Sequence, residues 1–139
     1  MLAYFRRLWV PRDLFDGGFG RVIVADTDES AFAMVRQLTA PDRWEVRYAG
    51  TALELLRLLR AGPARLAVVN LSMLDDAWLV AEDLRERSRR GLRVVITTDE
   101  HNEVNERRAR LIAPVFYAPK PLNILLLSRV LEGALGQAV

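Results

Sequence analysis

Residues 66–73 read LAVVNLSM, and this stretch decides how the rest of the sequence is interpreted. Four consecutive apolar residues that end at Asn70 are typical of a strand covered on both faces of a sheet. Similar apolar runs occur at 22–25, 94–96 and 115–117, and residues 44–48 show the alternation of apolar and charged residues that is typical of a strand. Runs of this kind, separated by helices, build parallel sheets that lie between two layers of helices.

Helix-like segments separate the strand-like runs. Thr51, with Glu54 three residues later, forms a capping-box pattern that begins one of these helices. A further helix is predicted to begin at Asp75 or Asp76. The apolar side chains that this helix is predicted to bury are Trp78, Leu79 and Leu84. Five strand–helix units predict an α/β fold with a doubly wound parallel sheet.

Residues 1–20 lie outside the strand–helix units and are rich in aromatic side chains. Pro11 and the pair Gly17 and Gly18 divide this segment into a short helix and a tether. We therefore predict an N-terminal extension of residues 1–20 and a single domain of residues 21–139. The sequence leaves open whether the extension packs on its own domain or docks on a second chain.

The composition excludes several classes of protein. Because cysteine is absent, the chain has neither disulfide bonds nor a thiolate metal site. No apolar run approaches the ~20 residues that span a bilayer, and no signal peptide is recognised, so we expect a cytoplasmic protein without a membrane partner. The net charge of +2 does not indicate nucleic acid as a partner. Lys120 is the single lysine among 20 basic residues, which suggests a site that needs a compact ammonium group.

Polar side chains follow four of the strand-like runs. Asp26 follows the first run, Asn70 the third, Thr98 the fourth and Lys120 the fifth. Because the carboxyl ends of parallel strands meet at one edge of a sheet, we expect these side chains to converge. An acid, a central amide, a hydroxyl and an ammonium together describe a pocket for a phosphoryl group and a divalent cation.

These motifs carry a resemblance to a known family. The most specific piece is Lys120 with Pro121, and the next is residues 70–73, which read NLSM and are similar to the family's Asp-Leu-x-Met. Over residues 21–138 the sequence resembles the receiver domain of two-component response regulators. The resemblance implies a (βα)5, flavodoxin-like fold with strand order 2-1-3-4-5.

The resemblance also implies a role for each matched residue. Asp26 corresponds to the first of two adjacent acids that hold Mg²⁺ in the family, whereas Thr27 replaces the second. Asn70 replaces the Asp that receives a phosphoryl group from a phosphohistidine partner. The remaining matches are Thr98 for the hydroxyl that senses the phosphoryl group, Tyr117 for the aromatic switch, Lys120 for the lysine that bonds the phosphoryl oxygen, and Pro121 for a cis peptide bond.

The departures from the family pattern decide the predicted function. A carboxamide lacks the anionic oxygen that forms an acylphosphate. Asp26 remains only as a weak metal candidate, so we expect no cofactor, and Mg²⁺ binding that is weak or absent. We therefore predict a pseudo-receiver that is not an enzyme and acts as a phosphorylation-independent signalling and protein-interaction module. Lys120 is expected to pair with Asp26 and Asn70 in one fixed state.

Two alternatives remain open at the level of sequence. Asp75, Asp76 or Ser72 could serve as a substitute phosphoacceptor, or the pocket could bind a small ligand. The expected partner is a protein: a histidine kinase, a phosphotransfer protein or an effector. A homodimer is a further expectation, formed either through the face of the fourth helix, fifth strand and fifth helix or through the N-terminal extension.

Overall fold

A computed structural model of the chain describes residues 20–136. The strands are β1 (Gly20–Ala25), β2 (Trp44–Ala49), β3 (Leu66–Asn70), β4 (Arg93–Thr98) and β5 (Phe116–Pro119). The helices are α1 (Ser30–Leu38), α2 (Ala52–Ala61), α3 (Trp78–Arg89), α4 (Glu103–Arg110) and α5 (Ile124–Leu135), with a short 3-10 helix at Leu71–Leu74. No helix in this part of the chain is long and apolar enough to cross a membrane. The predicted N-terminal extension lies outside the described residues except for Gly20, which begins β1.

The five strands form one parallel sheet in the order β2-β1-β3-β4-β5. This is the order 2-1-3-4-5 that the resemblance implies, so the prediction of a doubly wound α/β fold is confirmed. The chain first moves from β1 to β2 on one side and then returns past β1 to β3 on the other. Sheets of this class bind their ligands at the carboxyl ends of the strands, near this change of direction.

The three central strands, β1, β3 and β4, are largely buried because helices cover both faces of the sheet. Every residue of β3 is buried, in agreement with its continuous apolar run. Successive side chains of a strand point to opposite faces, and the core therefore consists of two clusters. Ile23 and Val69 belong to the cluster on one face, whereas Val24 and Val68 belong to the cluster on the other.

Helix α3 differs from its predicted form at its N-terminal end. It begins at Trp78, later than predicted, because Asp75 is extended and Asp76 has a positive φ of 56°, so neither residue is helical. The side chain of Trp78 is 69% exposed and that of Leu79 is 64% exposed, so the prediction that both are buried was wrong. Val80 and Leu84, which are four residues apart and share one helix face, form the buried side of α3.

Three α-helices begin at side chains that cap them. Thr51 caps α2, as predicted, because its hydroxyl oxygen accepts a hydrogen bond from the backbone N–H of Glu54 at 3.1 Å. Asn102 and Asn123 cap α4 and α5 in the same way, each through its side-chain oxygen and the N–H three residues later. A side-chain cap of this type satisfies a backbone donor that the helix itself leaves unpaired. The caps therefore help to fix the loops that follow β2, β4 and β5.

Candidate functional site

The carboxyl edge of the sheet, at which all five strands end, gathers the predicted site residues. Asp26 directly follows β1, Asn70 ends β3, Thr98 ends β4 and Lys120 directly follows β5. Asp26, Asn70 and Thr98 are each at most 3% exposed. The contacts at this edge divide these residues into a charged network around Lys120 and a neutral network around Asn70.

Asp26 is a buried carboxylate with donors on two sides. Its Oδ2 atom accepts a hydrogen bond from Nζ of Lys120 at 2.7 Å, and its Oδ1 atom accepts one from the backbone N–H of Asp28 at 3.1 Å. The hydroxyl of Tyr48, on the neighbouring strand β2, donates to the backbone carbonyl of Asp26 at 2.7 Å. A buried charge requires partners of this kind, because its transfer from water is otherwise costly.

Lys120 lies between two carboxylates. Besides the contact with Asp26, its Nζ atom is 3.1 Å from Oδ1 of Asp99, which directly follows β4. Its backbone N–H donates to the carbonyl oxygen of Thr98 at 2.8 Å, and its peptide bond to Pro121 is cis, as predicted. Burial alone lowers the pKa of Lys120, but the hydrogen bonds from its ammonium to the two carboxylates outweigh burial and leave the pKa raised.

Asn70 belongs to a separate, uncharged network. Its Oδ1 atom accepts a hydrogen bond from the backbone N–H of Ser72 at 3.0 Å and a short one from the hydroxyl of the same residue. Its Nδ2 atom donates to Oγ1 of Thr97 at 3.3 Å. The ion pairs of Lys120 are with Asp26 and Asp99, so the expected pairing of Lys120 with Asn70 was wrong. The physical reason is that a neutral amide competes poorly with carboxylates for an ammonium group.

Thr98 and Tyr117 make contacts close to the site. The hydroxyl of Thr98 donates to the backbone carbonyl of Glu100 at 2.8 Å. The hydroxyl of Tyr117 lies 3.1 Å from Nδ1 of His101. Burial is the main cause that raises the pKa of Tyr117, a hydrogen bond with Thr98 opposes it, and the charge of Glu106 adds to the increase. The predicted sensing hydroxyl and aromatic switch are therefore neighbours, each engaged with the loop that follows β4.

Two residues of the site have contacts that the sequence pattern does not predict. Asp99 is the second anion at Lys120. Its signals in the sequence are its position directly after Thr98, at a strand end, and its charge, since receiver domains usually have a small residue at this position. Thr97 is paired in the sheet with Asn70, which explains the hydrogen bond between their side chains. The contact of Thr97 depends on the register between β3 and β4, which cannot be read from a single sequence.

The oxygen atoms at this edge are a poor fit for a hard cation. Among residues 20–136, no group of three or more His, Cys, Asp or Glu side chains is arranged to hold a metal ion. Both carboxylate oxygens of Asp26 already accept hydrogen bonds, and Oδ1 of Asn70 accepts two from Ser72. Thr27, which stands where a second acid would lie, is exposed and neutral. Mg²⁺ prefers several hard, charged oxygens in near-octahedral geometry.

Comparisons with known proteins identify the fold. No protein-family model matches the sequence, and no curated protein matches it. Among solved structures, a CheY-like response regulator receiver domain protein from Methanospirillum hungatei is 23% identical, with a TM-score of 0.67 over 84% of this chain and 94% of that one. The signal receiver domain of a DNA binding response regulator from Colwellia psychrerythraea is 15% identical, with a TM-score of 0.71 over 85% and 99%.

A third similar structure comes from a complex. It is the co-crystal structure of the Saccharomyces cerevisiae histidine phosphotransfer signaling protein Ypd1 and the receiver domain of its downstream response regulator Ssk1. The matched chain is 17% identical, with a TM-score of 0.68 over 88% of this chain and 93% of that one. These likenesses agree with the order of the five parallel strands. The chain described here therefore has the fold of a response-regulator receiver domain.

Proposed function

We propose that this chain is a degenerate receiver that acts as a protein-interaction module without accepting a phosphoryl group at Asn70. The observation that carries the proposal is the amide at the end of β3. Formation of an acylphosphate needs an anionic oxygen nucleophile. The neutral Oδ1 atom of Asn70 instead accepts two hydrogen bonds from Ser72. The position at which receivers use a carboxylate therefore holds a group that stabilises its own turn.

The surroundings of Lys120 support the same proposal. Asp26 and Asp99 lie 2.7 and 3.1 Å from its Nζ atom, so its positive charge is compensated within the chain. In receivers the corresponding lysine bonds an oxygen of the phosphoryl group. Here the carboxylate of Asp99 supplies an anion permanently and without a chemical step. We infer that the chain holds one signalling state, which a partner recognises without prior phosphorylation.

Weak or absent binding of Mg²⁺ belongs to this proposal. Asp26 is the one acid retained from the family's metal-binding set, and its charge already faces an ammonium group. An incoming cation would have to displace Lys120 and would gain few anionic oxygens in return. The proposal likewise includes no enzymatic activity, because the polar groups of Asp26, Asn70 and Lys120 are engaged with other protein groups.

A protein is the proposed partner. The similar structure from yeast is a complex of a receiver domain with a histidine phosphotransfer protein, and by analogy we propose a histidine kinase, a phosphotransfer protein or an effector. An apolar surface that suits such a contact lies at the start of α5, where Ile124, Leu125 and Leu126 are 43%, 74% and 46% exposed. A homodimer through α4, β5 and α5 would use the same surface. Neither nucleic acid nor a membrane is part of the proposal.

Treatment with acetyl phosphate and Mg²⁺, followed by intact-mass measurement, tests the proposed function. We expect the wild-type chain to keep its mass. The matched control is the double variant Thr27→Asp/Asn70→Asp, which restores the two acids and is expected to gain the mass of one phosphoryl group. A stoichiometric adduct on the wild-type chain would overturn the proposal.

The same experiment tests the rival in which another residue accepts the phosphoryl group. Ser72 is the candidate closest to Asn70, since its hydroxyl donates to the amide oxygen. The carboxylate of Asp75 is already bound to Nη2 of Arg108 at 2.6 Å. Fragmentation of an adduct would identify the acceptor, and modification at Ser72, Asp75 or Asp76 would favour this rival over the proposed function.

One observation favours small-ligand sensing as a second candidate. A cleft of about 430 Å³ lies beside Lys120, and Asp28, Met34, Asp99 and Leu122 are among its lining residues. A thermal-shift screen with nucleotides and small anions would reveal such a ligand. An increase in melting temperature that disappears in the variant Lys120→Met would assign the ligand to this cleft.

A further inference from the structure

A cleft of about 250 Å³ lies between helices α3 and α4. One wall is a single stripe of α3, formed by Trp78, Glu82 and Arg85 at positions i, i+4 and i+7. The other wall contains Arg108, in the last turn of α4, and Leu111, which directly follows that helix. The buried apolar side chains that complete the lining include Leu71, Leu74 and Ile112. We call this recess the α3–α4 cleft.

Large apolar side chains of the α3–α4 cleft are open to solvent. Trp78 is 69% exposed and Leu111 is 68% exposed, and they stand on opposite walls. Val104 is 61% exposed and lies four residues before Arg108, so it extends the same stripe of α4. A single exposed leucine is ordinary on a protein surface, whereas an apolar patch that contains a tryptophan is typical of an interface.

The backbone next to each wall of the cleft has an unfavourable conformation. Asp76 and Ala113 have φ angles of 56° and 60°, and among residues 20–136 no other residue apart from glycine has a positive φ. Asp76 comes two residues before Trp78, and Ala113 comes two residues after Leu111. Left-handed backbone is costly for residues with a Cβ atom, and such strain is concentrated at functional contacts. The chain thus accepts strain in the two turns that position the exposed side chains of the cleft.

The charges at the α3–α4 cleft are balanced. Arg108 pairs with Asp75 at 2.6 Å, and Arg85 lies 3.9 Å from Glu82. Each of these four side chains is at least 39% exposed, so the surface presents two acids and two bases to a partner. A strongly acidic or strongly basic partner would meet repulsive as well as attractive charges here. A surface that carries both signs in equal number complements a second copy of itself.

We propose that the α3–α4 cleft is a self-association surface, in which Trp78 of each of two copies inserts into the cleft of the other. A twofold interface uses the same patch on both subunits, so the patch must carry both a projecting group and a recess that receives it. Trp78 is the exposed group, and the recess of about 250 Å³ is several times the ~30 Å³ that a water molecule occupies. The two indoles would form the apolar core of the contact, with the charged pairs at its rim. The inference goes beyond the proposed function, whose partner surface lies at the start of α5.

Sedimentation velocity of the full chain over a range of concentrations tests this self-association. We expect the wild-type chain to show an equilibrium between monomer and dimer. Trp78→Ala should raise the dissociation constant at least about 30-fold, as is typical of a tryptophan at the centre of an interface. Leu125→Ala is the matched control, because Leu125 is 74% exposed on α5, and it should leave the dissociation constant unchanged. Both side chains are exposed, so both variants should keep the circular dichroism spectrum of the wild type.

Two charge variants test whether the surface complements itself. Glu82→Arg makes the charge of the cleft positive and Arg85→Glu makes it negative, so each variant alone should associate more weakly than the wild type. An equimolar mixture of the two should form a heterodimer at lower concentration than either variant alone, and added salt should reduce this difference by screening.

Three results would overturn the proposal. A wild-type chain that is monomeric at every concentration would leave the cleft to a different protein. A dimer that survives Trp78→Ala but is lost with Leu125→Ala would place self-association at α5. A mixture of Glu82→Arg and Arg85→Glu that associates no better than the separate variants would show that the two clefts do not face each other.

Discussion

Lys120 and Asn70 lie at the same edge of one sheet but are held by different forces. Lys120 is held by charge, through Asp26 and Asp99. Asn70 is held by neutral hydrogen bonds to its own turn and to Thr97. The pocket therefore has an electrostatic network on one side and a neutral, hydrogen-bonded turn on the other. Changes of charge and pH should therefore act on the Lys120 network far more than on the Asn70 network.

The largest effect is expected for Lys120→Ala. The substitution leaves the carboxylate of Asp26 buried and without its ammonium partner. Removal of one member of a buried ion pair is strongly destabilising, so the free energy of unfolding should fall by about 3 kcal/mol. Urea unfolding measures this, with Arg129→Ala as a surface control expected to change stability by at most about 0.5 kcal/mol. A loss for Lys120→Ala as small as that of the control would show that the network carries no stability.

Asn70→Ala should have an intermediate effect. It removes the acceptor for two donors of Ser72 and the donor to Thr97. Loss of a helix-capping acceptor and of a buried hydrogen bond should lower the free energy of unfolding by about 1–2 kcal/mol. The same denaturation series tests the comparison. A loss larger than that of Lys120→Ala would contradict the view that charge dominates the site.

Asp99→Ala should have a smaller effect on stability. The side chain of Asp99 is 62% exposed, and ion pairs that reach solvent contribute less than about 1 kcal/mol. Lys120 would keep Asp26 as its partner. If Asp99 fixes the signalling state, however, Asp99→Ala should alter partner binding while the unfolding midpoint hardly moves. Unchanged binding to an identified partner would remove Asp99 from the proposed mechanism.

The smallest expected effect is a change in the free energy of unfolding at alkaline pH, which should involve the Lys120 network and not the Asn70 network. The pKa of Lys120 is raised above its ordinary value of 10.5 in the folded chain. Its contribution to stability is therefore fully present below pH 10.5 and is lost as the pH rises through the folded-state pKa. The stability difference between wild type and Lys120→Met should narrow over this range, whereas that between wild type and Asn70→Ala should stay constant. Urea titrations at pH 8 to 11 provide the measurement.

The fold could be predicted from the sequence because four strands contain continuous apolar runs, and because Trp44, Val46 and Tyr48 of β2 alternate with charged residues. Residues 66–70 read LAVVN, and every one of them is buried at the centre of the sheet. Strand ends in a parallel sheet meet at one edge, so the positions of Asp26, Thr98 and Lys120 followed from the fold alone. The cis peptide bond after Lys120 followed from the family pattern.

The partners of the site residues could not be predicted in the same way. The strand pattern places Lys120 at the carboxyl edge but does not show which oxygen atoms its ammonium group contacts. In the structure it contacts two carboxylates rather than the amide of Asn70, because a charged acceptor binds an ammonium group more strongly. Trp78 was predicted to be buried because an apolar residue near a helix start was counted as part of the helix's buried face. The extended backbone of Asp75 and the positive φ of Asp76 delay the start of α3 to Trp78, and its buried face begins at Val80.

The exposure of Trp78 allows its intrinsic fluorescence to report on binding at the start of α3. Trp78 is 69% exposed at the start of α3, whereas Trp44 is 7% exposed within the core. Their indoles should therefore differ in emission wavelength and in access to a dissolved quencher. Because the sequence also contains Trp9, comparison of the variants Trp9→Phe and Trp9→Phe/Trp78→Phe would identify the contribution of each. A ligand that covers the start of α3 would shift the red, quenchable component and leave the blue one in place, without any label on the chain.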